Sequence, residues 1–383
     1  MSAKIERIVI THHQLPLDPP FTPAWDTQPR RKFPTTIVRV FDADGRMGVG
    51  SGDVMYGFSD FEYLFLGREA DQLEHHNNVL RNIDFHAGRP WPLEIALWDL
   101  VGKQRGLPCW RMAGGRSREV AAYASTGVLR GPEATLEQAQ RFLAEGFRAI
   151  KLRFGRPELK DDLAVLALVA KGVGGRMLIM VDCNQGWRMP WDTQAPWDLA
   201  KAREVARVLE DHGVFWMEEP LHRGDYENMA LLRRERKTMK LAGGELTREP
   251  YEFDQLLKHG SLDIYQPDVA VTLGMSGLVR LAAQVAGHND CLFTPHTWGG
   301  GIGLLANAHI TAGVTPPEKS SQVFLEYPHD PPEWTRQRRD FIFRQPVDLS
   351  PDGRLVLSEA PGLGLELDED RLKATLSHSQ AYV

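Results

Sequence analysis

The chain has 383 residues, enough for two domains or for one large barrel with additions. Its 42% hydrophobic and 25% charged residues are typical of a globular protein, and its formal net charge of −6 argues against nucleic acid as the main partner. No apolar stretch could span a membrane, the start of the chain lacks the apolar core of a signal peptide, and three scattered cysteines predict no disulfide framework, so we expect a cytoplasmic protein.

The first part of the chain, residues 1–118, has the pattern of an α+β domain. The run "KIERIVITHHQLPL" predicts a strand, and "PTTIVRVFDADGRMGVGSGD" predicts a hairpin that turns at Asp44 and Gly45. Residues 60–112 carry apolar side chains at helical spacing. The tail, residues 341–383, returns to a hairpin pattern, and we expect it to rejoin this front domain.

From residue 120 onward, short apolar runs alternate with amphipathic segments. The runs that predict strands are "VAAYAST", "AIKLRF", "LIMVDCN", "VFWMEEP", "KLAGGE", "DIYQPD", "CLFTPH" and "QVFLEY". Parallel strands need long crossovers, so this alternation predicts a parallel sheet, and eight strands favour a closed barrel over residues 119–340. The alternative is a doubly wound sheet, but no strand–GxGxxG–helix pattern opens the region.

Polar residues follow these predicted strands one after another. They are Lys151, Arg153, Asp182, Asn184, Glu218, Glu219, Glu245, Asp268, His296 and Glu326. Because the carboxyl ends of parallel strands converge at one mouth of a barrel, we expect these side chains to lie close together. Acids gathered there would repel each other and take up protons unless a cation keeps them ionised. The alternative is a salt-bridged rim in which Lys151 and Arg153 pair with the acids.

Three of the acids come from consecutive strands and offer oxygen ligands only: Asp182, Glu218 and Glu245. Hard oxygen ligands favour Mg²⁺ or Mn²⁺ over zinc, which prefers histidine or cysteine. Neighbouring residues of a strand face opposite ways, so only one of Glu218 and Glu219 can point inward. The sequence therefore predicts a magnesium site at the barrel mouth, with the choice between these two glutamates open.

His296 follows the seventh strand, and Asp268 ends the sixth. A carboxylate beside an imidazole orients the ring and raises its basicity, which suits a general base. No serine lies on a nucleophile elbow and no cysteine is predicted to face the mouth, so covalent hydrolysis is not expected. A divalent cation, a histidine–aspartate pair and cationic side chains across the barrel together favour removal of a proton next to a carboxylate.

The chain resembles the mandelate racemase subgroup of the enolase superfamily over nearly its whole length. The motifs that carry the resemblance are "ALWDLVGKQRGLPCWRMAGG", "AIKLRFG", "VDCNQGW", "FWMEEP", "AGGE", "YQPD", "TPHTWGG" and "PGLGLELD". It implies a (β/α)₇β barrel at residues 119–340 under an α+β capping domain, formed by residues 1–118 and the returning segment 341–383. It also implies a lysine or histidine base that works with Mg²⁺.

The resemblance also assigns roles to residues. Asp182, Glu218 and Glu245 would bind the metal, Asp268 and His296 would form the base pair, Glu326 would hydrogen-bond the substrate carboxylate, and Asn184 and Glu219 would be further polar contacts. Two loops of the front domain are expected over the mouth, where Trp25 and Tyr56 are predicted to contact substrate. Lys151 is expected to take part in catalysis with Arg153.

One position departs from the family pattern. The second strand of the subgroup carries Lys-x-Lys with the second lysine as a base, whereas this chain has Lys151-Leu152-Arg153. Arginine stays protonated, so it is a poor base and a good anion clamp. A racemase needs a base on each face of its substrate, so we predict a one-base reaction, the dehydration of a small sugar acid. An epimerase, racemase or cycloisomerase and a non-catalytic sugar-acid-binding protein remain the alternatives, and we expect a homo-oligomer.

Overall fold

A computed structural model describes residues 3–52, 54–55, 58–193, 195–288 and 290–383. The front part contains strands β1 (Ile5–Phe21), β2 (Arg30–Asp42) and β3 (Met47–Gly52), then helices α1 (Leu73–His86), α2 (Trp91–Arg105) and α3 (Cys109–Met112). Strands β2 and β3 pair as an antiparallel hairpin, and Gly45 in its turn has a φ of 78°, a conformation that glycine adopts without strain. The predicted hairpin and the helical character of residues 60–112 are both confirmed.

The central part alternates strands and helices without interruption. Its elements are β4 (Glu119–Ser125), α4 (Pro132–Ala144), β5 (Ala149–Arg153), α5 (Leu159–Val173), β6 (Leu178–Asp182), α6 (Leu199–Asp211), β7 (Trp216–Glu218), α7 (Tyr226–Glu235), β8 (Lys240–Gly243), α8 (Pro250–His259), β9 (Ile264–Tyr265), α9 (Gly274–Ala286), β10 (Leu292–Phe293), α10 (Gly301–Val314) and β11 (Leu325–Pro328). Every predicted strand of this region is present.

The eight strands form one parallel sheet in the order β10-β9-β8-β7-β6-β5-β4-β11. From β4 to β10, strands that follow each other in the chain are neighbours in the sheet, whereas β11 pairs with the first strand, β4. This pairing curls the sheet into a barrel of (β/α)₇β topology, which confirms the predicted fold class. The lower interior of the barrel is packed with large apolar side chains, among them Tyr123, Met180, Trp216 and Ile264.

The tail contains α11 (Arg336–Arg339), β12 (Arg354–Val356), α12 (Glu369–Thr375) and β13 (Leu376–Tyr382). Strand β13 pairs with β1 and so joins the front sheet, whose order is β13-β1-β2-β3. The other predicted strand of the tail does not join the front domain as expected, because β12 pairs with barrel strand β4. The tail thus contacts both parts of the molecule, and the domain boundaries at residues 118 and 340 stay predictions.

Helix α2 lies at the junction of the front part and the barrel. Every residue from Trp91 to Gly102 is buried, including the acids Glu94 and Asp99, so the helix is buried all round rather than on one face. It contacts β3 on one side and α9 on another. Gly106 ends the helix in the left-handed conformation, with a φ of 65°, as a C-terminal glycine typically does. No helix among the described residues is both long and apolar enough to cross a membrane.

Candidate active site

The pairing register of three strands places charged side chains in one row at the barrel mouth. Arg153 of β5 lies opposite Asp182 of β6, and Asp182 lies opposite Glu218 of β7. Arg153 Nη1 makes a short ion pair with Asp182 Oδ2. Lys151, two residues earlier and on the same face of β5, lies with its Nζ 2.6 Å from Glu218 Oε1 and 2.8 Å from Glu326 Oε1. The row is a direct consequence of strand period two and parallel register.

Asp182, Glu218 and Glu245 come together as the sequence predicts. One carboxylate oxygen of each lies within 4.8 Å of the other two, and all three residues are buried. Glu245 Oε2 is buried and makes no hydrogen bond among the described residues, although His296 Nε2 lies 3.4 Å from it, and a buried carboxylate oxygen without a hydrogen bond is costly. Clustered, buried, oxygen-only donors, one of them without a hydrogen bond, fit a hard divalent cation such as Mg²⁺. These three residues would hold it.

His296 and Asp268 also meet. His296 Nδ1 lies 2.9 Å from Asp268 Oδ2, and the aspartate is fixed in turn because its Oδ1 accepts hydrogen bonds from Ala270 N at 2.9 Å and Asn307 Nδ2 at 3.1 Å. The second ring nitrogen, Nε2, faces the acid cluster at 3.4 Å from Glu245 Oε2. The free edge of the imidazole therefore points into the mouth, where a base would meet its substrate.

The mouth carries an excess of negative charge, which raises the pKa of His296. Burial alone would lower this pKa, but Glu245, Glu326 and Asp268 outweigh burial and raise it to about 10. Six buried acids lie at or beside the mouth, namely Asp182, Glu218, Glu219, Glu245, Asp268 and Glu326, against three cations, Lys151, Arg153 and the protonated His296. The salt-bridged rim considered as an alternative does form, but three cations do not balance six acids. A divalent cation would offset the remainder.

Lys151 and Glu326 form the positive and negative ends of one ion pair. Burial would lower the pKa of Lys151, yet the carboxylates of Glu218 and Glu326 hold it above its usual range. Burial would likewise raise the pKa of Glu326, but Lys151, His296 and Arg153 hold it at about 2. Both Glu326 oxygens already accept hydrogen bonds within the protein, from Ser125 Oγ at 2.6 Å and from Thr297 N at 2.9 Å. Its role toward a substrate stays a prediction.

The remaining predicted contacts lie around this centre with different orientations. Asn184 donates its side-chain amide to Phe154 O at 3.0 Å, and its backbone N donates to Asp182 Oδ1 at 2.8 Å. Trp25 lies over the guanidinium of Arg153, 4.8 Å from the ring centroid. Tyr56 lies outside the described residues. The substrate-binding roles of these residues stay predictions.

Glu219 faces away from the row that Glu218 occupies. Its backbone has a φ of 46°, and its carboxylate lies against the loop after β6, where a Cβ on Gly186 would lie 2.3 Å from Glu219 Oε1. Burial raises the pKa of Glu219 well above its ordinary value, and the nearby acid Glu245 adds to this. Of the two adjacent glutamates, Glu218 is thus the one that contacts Lys151 and the acid cluster.

Sequence reasoning gave no role to three side chains that hold the acids in place. Trp187 Nε1 donates to Glu245 Oε1 at 2.8 Å, while Trp216 Nε1 and Gln266 Nε2 both donate to Glu218 Oε2 at 3.0 Å. Period two could have revealed the last two, because Trp216 shares a face with Glu218, and Gln266 shares one with Asp268. Trp187 lies in an irregular loop, where no spacing rule applies.

A family model described as enolase C-terminal domain-like matches residues 134–371. Over 309 residues the chain is 32% identical to a 3,6-anhydro-α-L-galactonate cycloisomerase of Streptomyces coelicolor, which covers 76% of this chain and 82% of that protein. It is 26% identical over 343 residues to an arabinonate dehydratase of Saccharolobus solfataricus, covering 84% and 85% of the two chains. The chain belongs to the enolase superfamily, and its relatives include sugar-acid dehydratases and cycloisomerases.

A solved structure extends the likeness to the whole chain. A racemase from Streptomyces coelicolor with bound magnesium superposes with a TM-score of 0.81 at 28% identity, over 97% of this chain and 100% of that one. The predicted cofactor thus agrees with two findings, the acid cluster of this chain and the magnesium of its structural neighbour. The relatives do not share one reaction, since the names include a racemase, a dehydratase and a cycloisomerase.

Proposed function

We propose that the protein is a Mg²⁺-dependent dehydratase of a sugar acid and converts it to a 2-keto-3-deoxy acid. The observation that carries the proposal is the asymmetry of the mouth, which has a histidine–aspartate pair after β10 and β9 and an arginine, rather than a second base, on β5. When bound, the cation supplies positive charge that stabilises the enediolate left after the α-proton departs. Asp182, Glu218 and Glu245 would hold it.

His296 is the base in this proposal, which requires that a cation at the acid cluster offset the carboxylates that otherwise raise its pKa and keep the ring protonated. Its Nδ1 is occupied by Asp268, so Nε2 is the nitrogen that takes the proton from C2 of the acid. The same nitrogen then returns the proton to the C3 hydroxyl, which leaves as water while the C2–C3 double bond forms. The resulting enol becomes the 2-keto-3-deoxy acid. One group that serves as base and then as acid is sufficient for this elimination.

Arg153 and Lys151 would supply fixed positive charge on the other side of the substrate. Arg153 is held by its ion pair to Asp182, by its Nε donating to Thr126 O at 2.8 Å, and by the ring of Trp25. A cation fixed in this way costs no reorganisation when negative charge develops on the substrate. It cannot accept a proton at physiological pH, which is the reason for proposing dehydration rather than racemisation.

Proton exchange tests the assignment of the base. A library of mono- and diacid sugars, incubated with the Mg²⁺-loaded protein, should show one or a few acids that yield an α-keto acid. With such a substrate, deuterium from heavy water should enter at C2 on one face only, and His296→Asn should lose both exchange and turnover. Racemisation, or exchange of both C2 epimers, would contradict the one-base reaction.

The second candidate is a cycloisomerase. It is favoured by the 32% identity to the 3,6-anhydro-α-L-galactonate cycloisomerase, a higher identity than to the arabinonate dehydratase. Such a reaction rearranges an acid without releasing water from it, so the product has the mass of the substrate. Mass spectrometry of the product separates the two candidates, because dehydration lowers the mass by one water.

A further inference from the structure

A large cleft lies beside the mouth and takes no part in the chemistry described so far. Its volume is ≈ 800 Å³, and its walls come from the β1–β2 loop, the β5–α5 loop and the β6–α6 loop. Among the residues that line it are Trp25, Asn184, Gln185, Trp187, Arg188 and Trp197. Pockets for drug-sized ligands measure about 300–1,000 Å³, so this cleft is large for the carbon chain of one monosaccharide acid.

The cleft adjoins the candidate active site, because three of its wall residues also contact residues of the centre. Trp25 lies over the guanidinium of Arg153 at 4.8 Å. The backbone N of Asn184 donates to Asp182 Oδ1 at 2.8 Å. Trp187 Nε1 donates to Glu245 Oε1 at 2.8 Å. The cleft therefore lies next to the acid cluster, on the side of β5 and β6.

The charges of the walls largely cancel, because the lining holds four lysine or arginine side chains and five aspartate or glutamate side chains. Arg156 pairs with Asp162, and Lys201 pairs with Glu204. Arg188 donates from Nη2 to Gln185 Oε1 at 2.9 Å, and its Nε is buried without a partner among the described residues. A lining without excess positive charge, with a donor held in place, suits a neutral, hydroxylated ligand rather than a second anion.

Three tryptophans are among the residues that line the cleft, namely Trp25, Trp187 and Trp197. Indole rings offer flat apolar faces with one polar edge, which match the apolar C–H face and the hydroxyl rim of a sugar ring. An acyclic sugar acid has no such face. Gln185 fixes the loop that presents these rings, because its Oε1 accepts from the backbone N of Trp197 at 3.1 Å as well as from Arg188.

We propose that the cleft binds a sugar ring attached to the acid, so that the substrate class is an aldonate carrying a glycosyl unit. This inference rests on the proposed function for the acid end and adds the occupant of the cleft. The elimination is unchanged for such a substrate, because C2 loses its proton to His296 and the C3 hydroxyl leaves as water. The glycosidic bond, at O4 of the aldonate, is neither formed nor broken.

Disaccharide aldonates provide the test. Maltobionate and lactobionate carry a neutral ring on O4 of gluconate with opposite anomeric linkage, and gluconate is the matched acid without the ring. We expect kcat/KM for at least one disaccharide acid to exceed that for gluconate by about tenfold or more, as one stacked ring contact contributes. Trp197→Ala should lower kcat/KM for the disaccharide acid by about tenfold and leave that for gluconate unchanged.

Trp191→Ala is the matched control, because Trp191 lies in the same loop, is 45% exposed and is outside the lining of the cleft. Trp191→Ala should leave kcat/KM unchanged for both the disaccharide acid and gluconate. Isothermal titration calorimetry of both disaccharide acids gives a reading that does not depend on turnover, and thermal melting shows whether Trp197→Ala folds. Trp197-dependent binding without dehydration of any acid would support the cleft and refute the proposed function.

Two results would overturn the inference. In the first, the protein dehydrates monosaccharide acids while neither disaccharide acid binds, which leaves the proposed function intact and the cleft without its occupant. In the second, a disaccharide acid binds, but Trp197→Ala and Trp191→Ala behave alike, or Trp197→Ala harms gluconate equally. The tryptophan would then serve the structure of the loop rather than a sugar ring.

Discussion

Two groups of buried carboxylates in this molecule face opposite electrostatic conditions. At the barrel mouth, Asp182, Glu218 and Glu245 face one another with oxygens within 4.8 Å. At the junction between α2 and the barrel, Glu94 and Asp99 are buried as deeply but face away from other acids. Asp99 accepts hydrogen bonds from the backbone N of Val49 and of Leu363, each at 2.8 Å, and from Lys103 at 2.7 Å. Burial alone does not distinguish a reactive site from a structural one.

The difference lies in the neighbours of each group. Glu94 Oε1 accepts from Asn77 Nδ2 at 3.0 Å and from the backbone N of Ser276 in the first turn of α9 at 3.1 Å, so it ties α1, α2 and α9 together. Glu94 Oε2 and Glu245 Oε2 both lack a hydrogen-bond partner among the described residues, so an orphaned oxygen does not separate the two groups. Crowding does, because the acids of the mouth lie within 4.8 Å of one another and exceed their cations, whereas the groups that act on Glu94 are Ser276, Asn77 and Arg280. We therefore expect changes at the mouth to affect cation binding and turnover, and changes at the junction to affect stability.

The largest effect is expected at Glu245. Removing the divalent cation with a chelator should abolish turnover, and Mg²⁺ or Mn²⁺ should restore it, because the clustered acids and the enediolate both need positive charge. Glu245→Gln should severely weaken Mg²⁺ binding measured by calorimetry. Glu94→Gln makes the same chemical change at the junction and should leave Mg²⁺ binding intact. Full turnover in excess chelator would remove the basis for treating the mouth as a metal site.

Arg153 should give the next largest effect. A preorganised cation beside developing negative charge contributes on the order of 2–4 kcal/mol, so Arg153→Met should lower kcat/KM by roughly 10² or more. Arg153→Lys keeps the charge and loses the planar fork, and it should fall between the wild type and the methionine variant. If steady-state kinetics show an unchanged rate for Arg153→Met, the arginine only balances Asp182, and the preference for dehydration over epimerisation fails.

The lysine variant also sharpens this prediction. A lysine that is desolvated near other cations can lose its proton and become a base. Arg153→Lys could then introduce deuterium exchange at C2 on the face where the wild type shows none. Nuclear magnetic resonance of the recovered substrate in heavy water would detect it. Exchange on that face in the wild type itself would mean that a second base already operates.

Trp187 should have a smaller effect on the same site. Trp187→Phe keeps a flat ring in the loop and removes the donor to Glu245 Oε1. Loss of a residue that orients a metal ligand typically costs about 10- to 100-fold in metal affinity or activity, and we expect the lower end because Glu245 keeps its own position after β8. Calorimetric titration with Mg²⁺ measures the change. Trp191→Phe is the control, and an equal loss in both variants would assign the effect to the loop as a whole.

The fold was predictable because its signals are local and repeated. Eight apolar runs with helical segments between them define the barrel, and period two along each strand puts Arg153, Asp182 and Glu218 on the inner face. The position of Trp187 was not predictable, because it depends on how an irregular loop folds back over the mouth. The junction cluster was also missed. Glu94 and Asp99 lie on a helix that is buried on all sides, where the apolar pattern gives no preferred face.

The smallest effect on turnover, and the clearest on stability, is expected at the junction. Burial raises the pKa of Glu94 to about 7 from 4.5, although Ser276 and Asn77 oppose the shift. The folded protein therefore holds this proton more tightly than the unfolded chain does. Its contribution to stability is complete below pH 4.5 and is lost as the pH rises through 7, with a total on the order of 3 kcal/mol.

His309 has the opposite effect on the pH dependence of stability, because its contribution grows as the pH rises across nearly the same range. Burial lowers its pKa to about 4 from 6.5, with the backbone contact to Leu363 as a weaker opposing effect. The neutral ring fits its surroundings, because Nδ1 accepts from the backbone N of Trp110 at 3.0 Å and Nε2 lies 3.2 Å from Leu363 O. Its contribution to stability is present above pH 6.5 and is lost as the pH falls through 4.

Between pH 4.5 and 6.5, Glu94 lowers the free energy of unfolding as the pH rises, and His309 raises it. In the wild type these two effects should largely cancel, so the free energy of unfolding should change little from these groups. Glu94→Gln removes the decrease in the free energy of unfolding that Glu94 causes as the pH rises, because glutamine resembles the protonated glutamate and does not titrate. In this variant the unfolding free energy, measured by urea denaturation at several pH values, should rise with pH across that window relative to the wild type. Its Mg²⁺ affinity and turnover should match the wild type. A Glu94→Gln variant with an unchanged pH profile would show that Glu94 stays ionised in the fold, and loss of turnover would show that the junction and the mouth are not independent.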